Sequence, residues 1–236
     1  MKVRYVIKFT KESEIKFVAH LDLMRTIQRI FRRAMLPVEY SKGFNPHMNL
    51  SIAQPLSVGI YSKGEYMDVV FLEEVNEQLI LDKLNANAPL GIKFIKAIKL
   101  PVISDGKKIP QIMAMLDGAS YTINIQYENT DALAEEINEL LNKPQWYTIK
   151  RTKSGEKEVD IKPFVKEFKY SISGENIKID TVLACGSREN LSPELLSEYI
   201  KKNTSQARDK TFVEIMRKDM YTLKEEALVT VDSFFA

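Results

Sequence analysis

The sequence predicts an α+β protein with antiparallel sheets, and three patterns carry the prediction. Residues 2–9 (Lys-Val-Arg-Tyr-Val-Ile-Lys-Phe) alternate in polarity, as a half-buried strand does. Leu23, Met24, Ile27, Ile30, Phe31 and Ala34 then recur at three- and four-residue spacing, which gives one apolar stripe on a helix from about His20 to Met35. The elements that follow complete the order β-α-β-β-α-β, and a similar order begins again after residue 118. That is the order of a ferredoxin-like unit, so the chain reads as two ferredoxin-like halves in tandem.

Each element has a local cause. Pro37 ends the first helix, because a proline disfavours helical geometry in the residue before it. Short strands are expected at Val38–Ser41 and Leu50–Ala53, and a longer one at Glu65–Leu72. A helix at Asn76–Asn87 and a strand at Ile92–Leu100 close the first half. Residues 101–119 carry Pro101, Gly106, Pro110 and Gly118 with few packing signals. The expected division is therefore a first half over 1–103, a linker over 104–118 and a second half over 119–236.

The second half opens with a strand at Tyr121–Tyr127, and Asn129 or Thr130 can cap a helix running to Leu141. Strands follow at Trp146–Arg151, Glu158–Ile161, Phe168–Ile172 and Ile177–Ala184, one hairpin more than the first half holds. Ser192-Pro193-Glu194 is a helix start: serine at the cap, proline in the first turn, and an acid that suits the helix dipole. This helix is expected to reach Lys202, and a strand near Leu228–Ser233 to end the fold.

Composition excludes several classes. Of 236 residues, 44% are hydrophobic and 28% charged, which is ordinary for a globular chain. The net charge of +2 gives no overall nucleic-acid signature, so any electrostatic argument rests on local clustering. From Lys2 to Lys63 basic residues outnumber acidic ones. The single cysteine, Cys185, excludes an internal disulfide, a multi-thiolate zinc site and a self-held iron–sulfur cluster. With two histidines only, a histidine-rich metal site is not expected, and no cofactor is assigned. No apolar run approaches the roughly 20 residues of a membrane span. The first residues read as a strand and not as a signal peptide, which makes the cytoplasm the expected compartment.

Residues that could carry chemistry concentrate between His20 and Asp68. At 100° per residue, Asp22, Arg25, Arg29, Arg32 and Arg33 fall opposite the apolar stripe. They form either a ridge that follows phosphates or a solvated face with Asp22 paired to Arg25 or Arg29. The segment Tyr40-Ser41-Lys42-Gly43-Phe44-Asn45-Pro46-His47 reads as a shaped loop. Gly43 opens conformations closed to other residues, Pro46 stiffens the exit, and Phe44 either packs beneath the loop or stacks on a base. Asn45 and His47 then present polar groups. His20 opens the helix as either a hydrogen-bonded core residue or, facing His47, half of an acid/base pair for metal-free RNA cleavage. Glu65 and Asp68, three apart on a strand, lie on opposite faces. Ala184-Cys185-Gly186-Ser187-Arg188 lies between a strand and a capped helix and reads as a glycine turn or, alternatively, as backbone amides that hold an anion, while Arg208, Lys210, Arg217, Lys218 and Tyr221 read as solvated surface.

Taken together, His20-Leu21-Asp22-Leu23-Met24-Arg25, Arg32-Arg33-Ala34, Leu36-Pro37, Tyr40 to His47, Pro55-Leu56, Gly59, Glu65-Tyr66 and Asp68 resemble the bacterial radical-SAM-linked domain family of unknown function. The resemblance is specific over about residues 2–75, and the length suits a free-standing member. It implies a partner, a radical SAM protein that holds its own cluster on three cysteines. This chain has one cysteine and is not itself such an enzyme. A more distant similarity is to CRISPR repeat-processing endoribonucleases with tandem ferredoxin-like domains, in which a histidine near the first helix often contributes to cleavage. Their C-terminal glycine-rich loop has no clear counterpart, since no glycine follows Gly186. The expected function is an accessory of a radical SAM enzyme that binds or presents tRNA, rRNA or the ribosome. The alternatives are a metal-independent endoribonuclease using His20 and His47, and a protein-interaction scaffold without RNA contact.

Overall fold

A computed structural model of the chain describes residues 2–101, 109–152 and 155–235. The fold is mixed α+β, with antiparallel strand pairs and few helices. Its elements are β1 (Val3–Lys11), α1 (His20–Arg33), β2 (Leu50–Ile52), β3 (Tyr61–Phe71), α2 (Glu77–Asn87), β4 (Phe94–Lys99), α3 (Ile112–Met115), β5 (Gly118–Gln126), α4 (Leu133–Asn142), β6 (Tyr147–Thr152), β7 (Gly155–Asp160), β8 (Val165–Ser173), β9 (Asn176–Ala184), α5 (Pro193–Lys202), β10 (Glu214–Lys224), β11 (Ala227–Thr230) and α6 (Val231–Phe234). Two compact units emerge: residues 1–117 with 219–236, and residues 118–218.

In the first unit β1 lies between β4 and β3, and β2 pairs with β3. Alternation along β1 sorts its side chains by face. Val3, Tyr5, Ile7 and Phe9 join Met67, Val69 and Phe71 of β3 in one buried cluster, which Leu23, Ile27, Ile30 and Phe31 of α1 and Ile80 and Leu84 of α2 complete. Both helices thus cover one face of the sheet. Asn76 caps α2 by accepting the Leu79 N–H at 3.1 Å.

The opposite face carries Arg4 and Lys8 of β1 and Tyr66 and Asp68 of β3, with Val6 beside Asp68 and Lys8 beside Tyr66. Asp68 accepts the Ile112 N–H at 2.8 Å, and Arg4 donates to the carbonyls of Ile109 (2.5 Å) and Pro110 (2.7 Å). Arg4 also binds the Asp68 carboxylate at 2.5 and 2.8 Å. Burial pushes the Asp68 carboxyl up, and the Ile112 N–H and the Arg4 guanidinium oppose that rise. This pair docks α3, where the sequence suggested a linker: Ile112 is wholly buried. Residues 104–108 of the expected linker lie outside the described residues.

In the second unit β9 lies between β5 and β8, and β6 and β7 form a separate hairpin. Trp146 is its anchor. Its ring stacks on Tyr199 of α5 at 5.5 Å and meets Phe168 of β8 edge-on at 6.2 Å, while its N–H donates to the Leu140 carbonyl at 2.9 Å. Ser192 caps α5 as its sequence predicts, accepting the Leu195 N–H at 3.2 Å. Ser192→Ala is expected to cost about 1 kcal/mol, read as a lower urea midpoint at unchanged slope. An unshifted midpoint would show that solvent replaces this cap.

Four expectations need correction. Val38 and Tyr40 make single bridges, to Phe71 and Met48, and not a strand. Pro37 has no N–H to donate there, and the chain leaves the sheet for the 41–47 loop. The C-terminal strand stops at Thr230 and turns into α6, which carries Asp232 toward Lys8 and Tyr66. The region read as solvated surface holds β10. Within it Arg217 is buried, its guanidinium 5.6 Å from the Tyr121 ring and its Nε 3.3 Å from that hydroxyl. Residues 219–236, grouped by sequence with the second half, belong to the first unit.

Candidate functional site

Most of the sequence-predicted residues lie on two exposed features of the first unit. The first is the outer face of α1. Asp22, Arg25, Arg29, Arg32 and Arg33 are exposed there, one helix width from the buried stripe. Arg25 pairs with Asp22 at 3.0 Å, at solvent-exposed positions where such a pair contributes little. Arg33 donates to the Asn87 carbonyl at the end of α2, at 2.8 Å. The guanidiniums of Arg29 and Arg32 have no ion pair or hydrogen bond among the described residues. Two guanidiniums are thus committed and two are available.

The second feature is the loop between β2 and the end of α1. Every residue from Tyr40 to His47 is exposed. Its base is closed: the Ser41 N–H donates to the His47 carbonyl at 2.8 Å, and the His47 N–H donates to Ser41 Oγ at 2.9 Å. Tyr40 bridges Met48, which is buried in the core cluster. Below that, Glu39 binds Lys2 and accepts from the Asn49 amide at 3.0 Å. These two hydrogen bonds, with the charge of Lys2 and Lys42, hold the Glu39 carboxyl below its ordinary range. Gly43 has φ +131°, a conformation that L side chains rarely adopt. The side chain of Phe44 is fully exposed, and those of Asn45 and His47 make no hydrogen bond among the described residues. Phe44 therefore does not pack beneath the loop, one of the two roles the sequence allowed it.

His20, the first residue of α1, is half-buried, and no hydrogen bond joins its imidazole to that of His47 among the described residues. Glu65 and Asp68 are both buried, on opposite faces of β3 as their spacing requires. Among the described residues no group of three or more His, Cys, Asp or Glu could hold a metal ion.

A third constellation was not foreseen. Lys8 Nζ lies 2.6 Å from Asp219 and 3.3 Å from Asp232, and the Tyr66 hydroxyl lies 2.7 and 2.8 Å from the same two carboxylates. Lys96 approaches Asp232 at 3.5 Å from the neighbouring strand. Burial, helped by both aspartates, pushes the Tyr66 phenol far up and keeps it protonated. Burial also pushes Asp232 up, but hydrogen bonds from Tyr66 and Thr230 and the charge of Lys8 outweigh it and hold the carboxyl at about 2. Two lysines and two aspartates balance in charge, so the constellation ties the chain's last segment to the sheet. Lys8 between the buried Ile7 and Phe9 is the sequence signal that an acid could face it.

A model of a family described as uncharacterized protein conserved in bacteria (DUF2344) matches residues 4–193. The chain belongs to that family. The match takes in every exposed candidate of this DUF2344 chain, with Lys8, Tyr66 and Lys96, while Asp219 and Asp232 lie beyond it. In fold the chain is similar to a solved chain from the crystal structure of a Cbf5-Nop10-Gar1 complex, with TM-score 0.50 and 11% identity over 97% of this chain and 52% of that one. It thus spans about half the length of the solved chain it matches, and at that identity the likeness concerns fold alone. A second match, an unknown protein from Galdieria sulphuraria, has 12% identity over 95% of this chain and 100% of the other, with a TM-score of 0.27 that carries no argument. No curated protein matches the sequence. Among the described residues no helix of the DUF2344 chain is long and apolar enough to cross a membrane.

Proposed function

We propose that this chain is an RNA-binding or RNA-presenting accessory protein of a radical SAM enzyme, acting on tRNA, rRNA or the ribosome. The observation that carries the reading is the pair Arg29 and Arg32, exposed on α1 with guanidiniums that have no partner among the described residues. An arginine fork suits phosphate geometry, and a row on one helix face can track a phosphate backbone. Arg25 joins them at little cost by releasing the exposed Asp22. The radical SAM partner follows from the motif resemblance. With one cysteine the chain holds no such cluster itself, so radical chemistry belongs to the partner and RNA contact to this chain. The order β4-β1-β3-β2 with both helices on one face supports reading the first unit as ferredoxin-like, and we read the second as its divergent counterpart.

Replacing Arg29 and Arg32 together by Ala is expected to weaken binding of tRNA or rRNA fragments about tenfold, and to lower the salt slope by about two. Gel-shift titrations across a salt series measure both. An unchanged affinity and slope would remove the reading. RNA cleavage in EDTA that disappears in His47→Ala would replace it with the two-histidine nuclease.

A further inference from the structure

We infer that the Tyr40–His47 loop takes an unpaired nucleotide, so that the RNA bound by this chain is single-stranded at the point of contact. The inference rests on the RNA-binding reading and names its substrate class. Phe44 stands fully exposed at the tip of a loop whose base is fixed by the paired contacts of Ser41 and His47 and by the buried Met48. A tip of that construction holds its ring outside the protein, fully exposed among the described residues. Burying a phenylalanine side chain is favourable, and this position forgoes that gain in the free protein.

The neighbours of the ring favour a base over an apolar protein groove. Asn45 carries one amide donor group and one carbonyl acceptor, the pairing a nucleobase edge presents in reverse. His47 adds an imidazole, and Lys42 a cation within the same eight exposed residues. Among the described residues no hydrogen bond occupies the side chains of Asn45 or His47. Within a duplex each base face is covered by its neighbours, and A-form RNA hides its major-groove edges. Only an unstacked base can offer both a face to Phe44 and an edge to Asn45. The available guanidiniums of Arg29 and Arg32, in the same unit, supply the phosphate contacts that a strand carrying such a base requires.

The test is fluorescence anisotropy of the full chain with a short unstructured RNA strand and with the same sequence as a duplex. The wild type is expected to bind the strand more tightly. Phe44→Ala is expected to lose about tenfold on the strand and nothing on the duplex, since stacking carries that increment, and Phe44→Trp is expected to restore it. A Phe44→Ala protein that binds the strand as well as wild type overturns the inference, as does equal loss on both RNAs. If Phe44→Ala keeps strand binding but no longer captures a radical SAM protein, the loop is a protein-docking element and the inference fails. A wild type that binds neither RNA ends the RNA-binding reading as well.

Discussion

Phe31→Ala is expected to destabilise the first unit by about 3–5 kcal/mol, the range found for emptying an aromatic position in a packed core. Phe31 is wholly buried, and its ring meets Phe71 of β3 and Phe94 of β4 edge-on at 6.4 Å each. Phe71 in turn lies 5.1 Å from the Tyr5 ring on β1. One side chain on α1 therefore fills the space above three adjacent strands, and no neighbour can swing in to replace it without leaving its own contact. Urea unfolding read by circular dichroism would measure the loss, and a change under 1 kcal/mol would show that the core collapses around the site. Leu23, Ile27 and Ile30 still seat the helix. The folded fraction of Phe31→Ala should accordingly bind RNA with wild-type affinity. Arg32→Ala, one residue on, is expected to do the reverse, since successive residues on a helix turn by 100°.

That contrast shows what was legible in the sequence. The stripe of α1, the cap at Ser192 and the alternation of β1 are each set by neighbours within a few positions, and periodicity reports them directly. The loop at 41–47 was legible as a constrained turn, because Gly43 and Pro46 act on their own backbone. Whether Phe44 pointed inward was not, since that depends on Met48 being the residue the core accepts. β10 stayed hidden for a related reason. Its buried positions are Ile215, Arg217, Met220 and Thr222, so half of its inward side chains are polar and the alternation shifts phase partway. The Tyr121 ring and hydroxyl, far away in sequence, help to receive the arginine there.

The same limit applies to the site. The outward arginines follow from helix geometry alone, but which of them is available does not. Arg33 is taken by the Asn87 carbonyl, a contact that requires the end of α2 to lie beside the end of α1. The Lys8–Tyr66–Asp219–Asp232 constellation draws on both ends of the first unit, so no local pattern announces it. Its separation by face from the helices also divides the labour within the unit. One side of the sheet carries the apolar core that displays α1, and the other carries the polar ties that hold the returning chain.

Those ties carry the second large effect: Lys8→Met is expected to cost about 3 kcal/mol at neutral pH. Removing the ammonium leaves two carboxylates within 2.7–2.8 Å of one tyrosine hydroxyl, which has a single proton to share. The cost should depend on acidity in a set direction. Asp232 is held at about 2, below the ordinary aspartate value near 4. Its contribution is therefore fully present above about pH 4 and is lost as the pH falls toward 2. In Lys8→Met one of the forces holding Asp232 down is gone, so its carboxyl protonates at higher pH and relieves the repulsion with Asp219 earlier. The difference between wild type and variant should shrink steadily from pH 5 to about pH 2. Lys96→Met is the control. Its ammonium is more exposed and 3.5 Å away, and its loss should cost under about 1 kcal/mol. Urea midpoints of the three proteins across that pH range decide the matter. A Lys8→Met deficit that stays constant with pH would mean that the lysine acts through its packed methylenes, and that charge has no part in holding the final segment to the sheet.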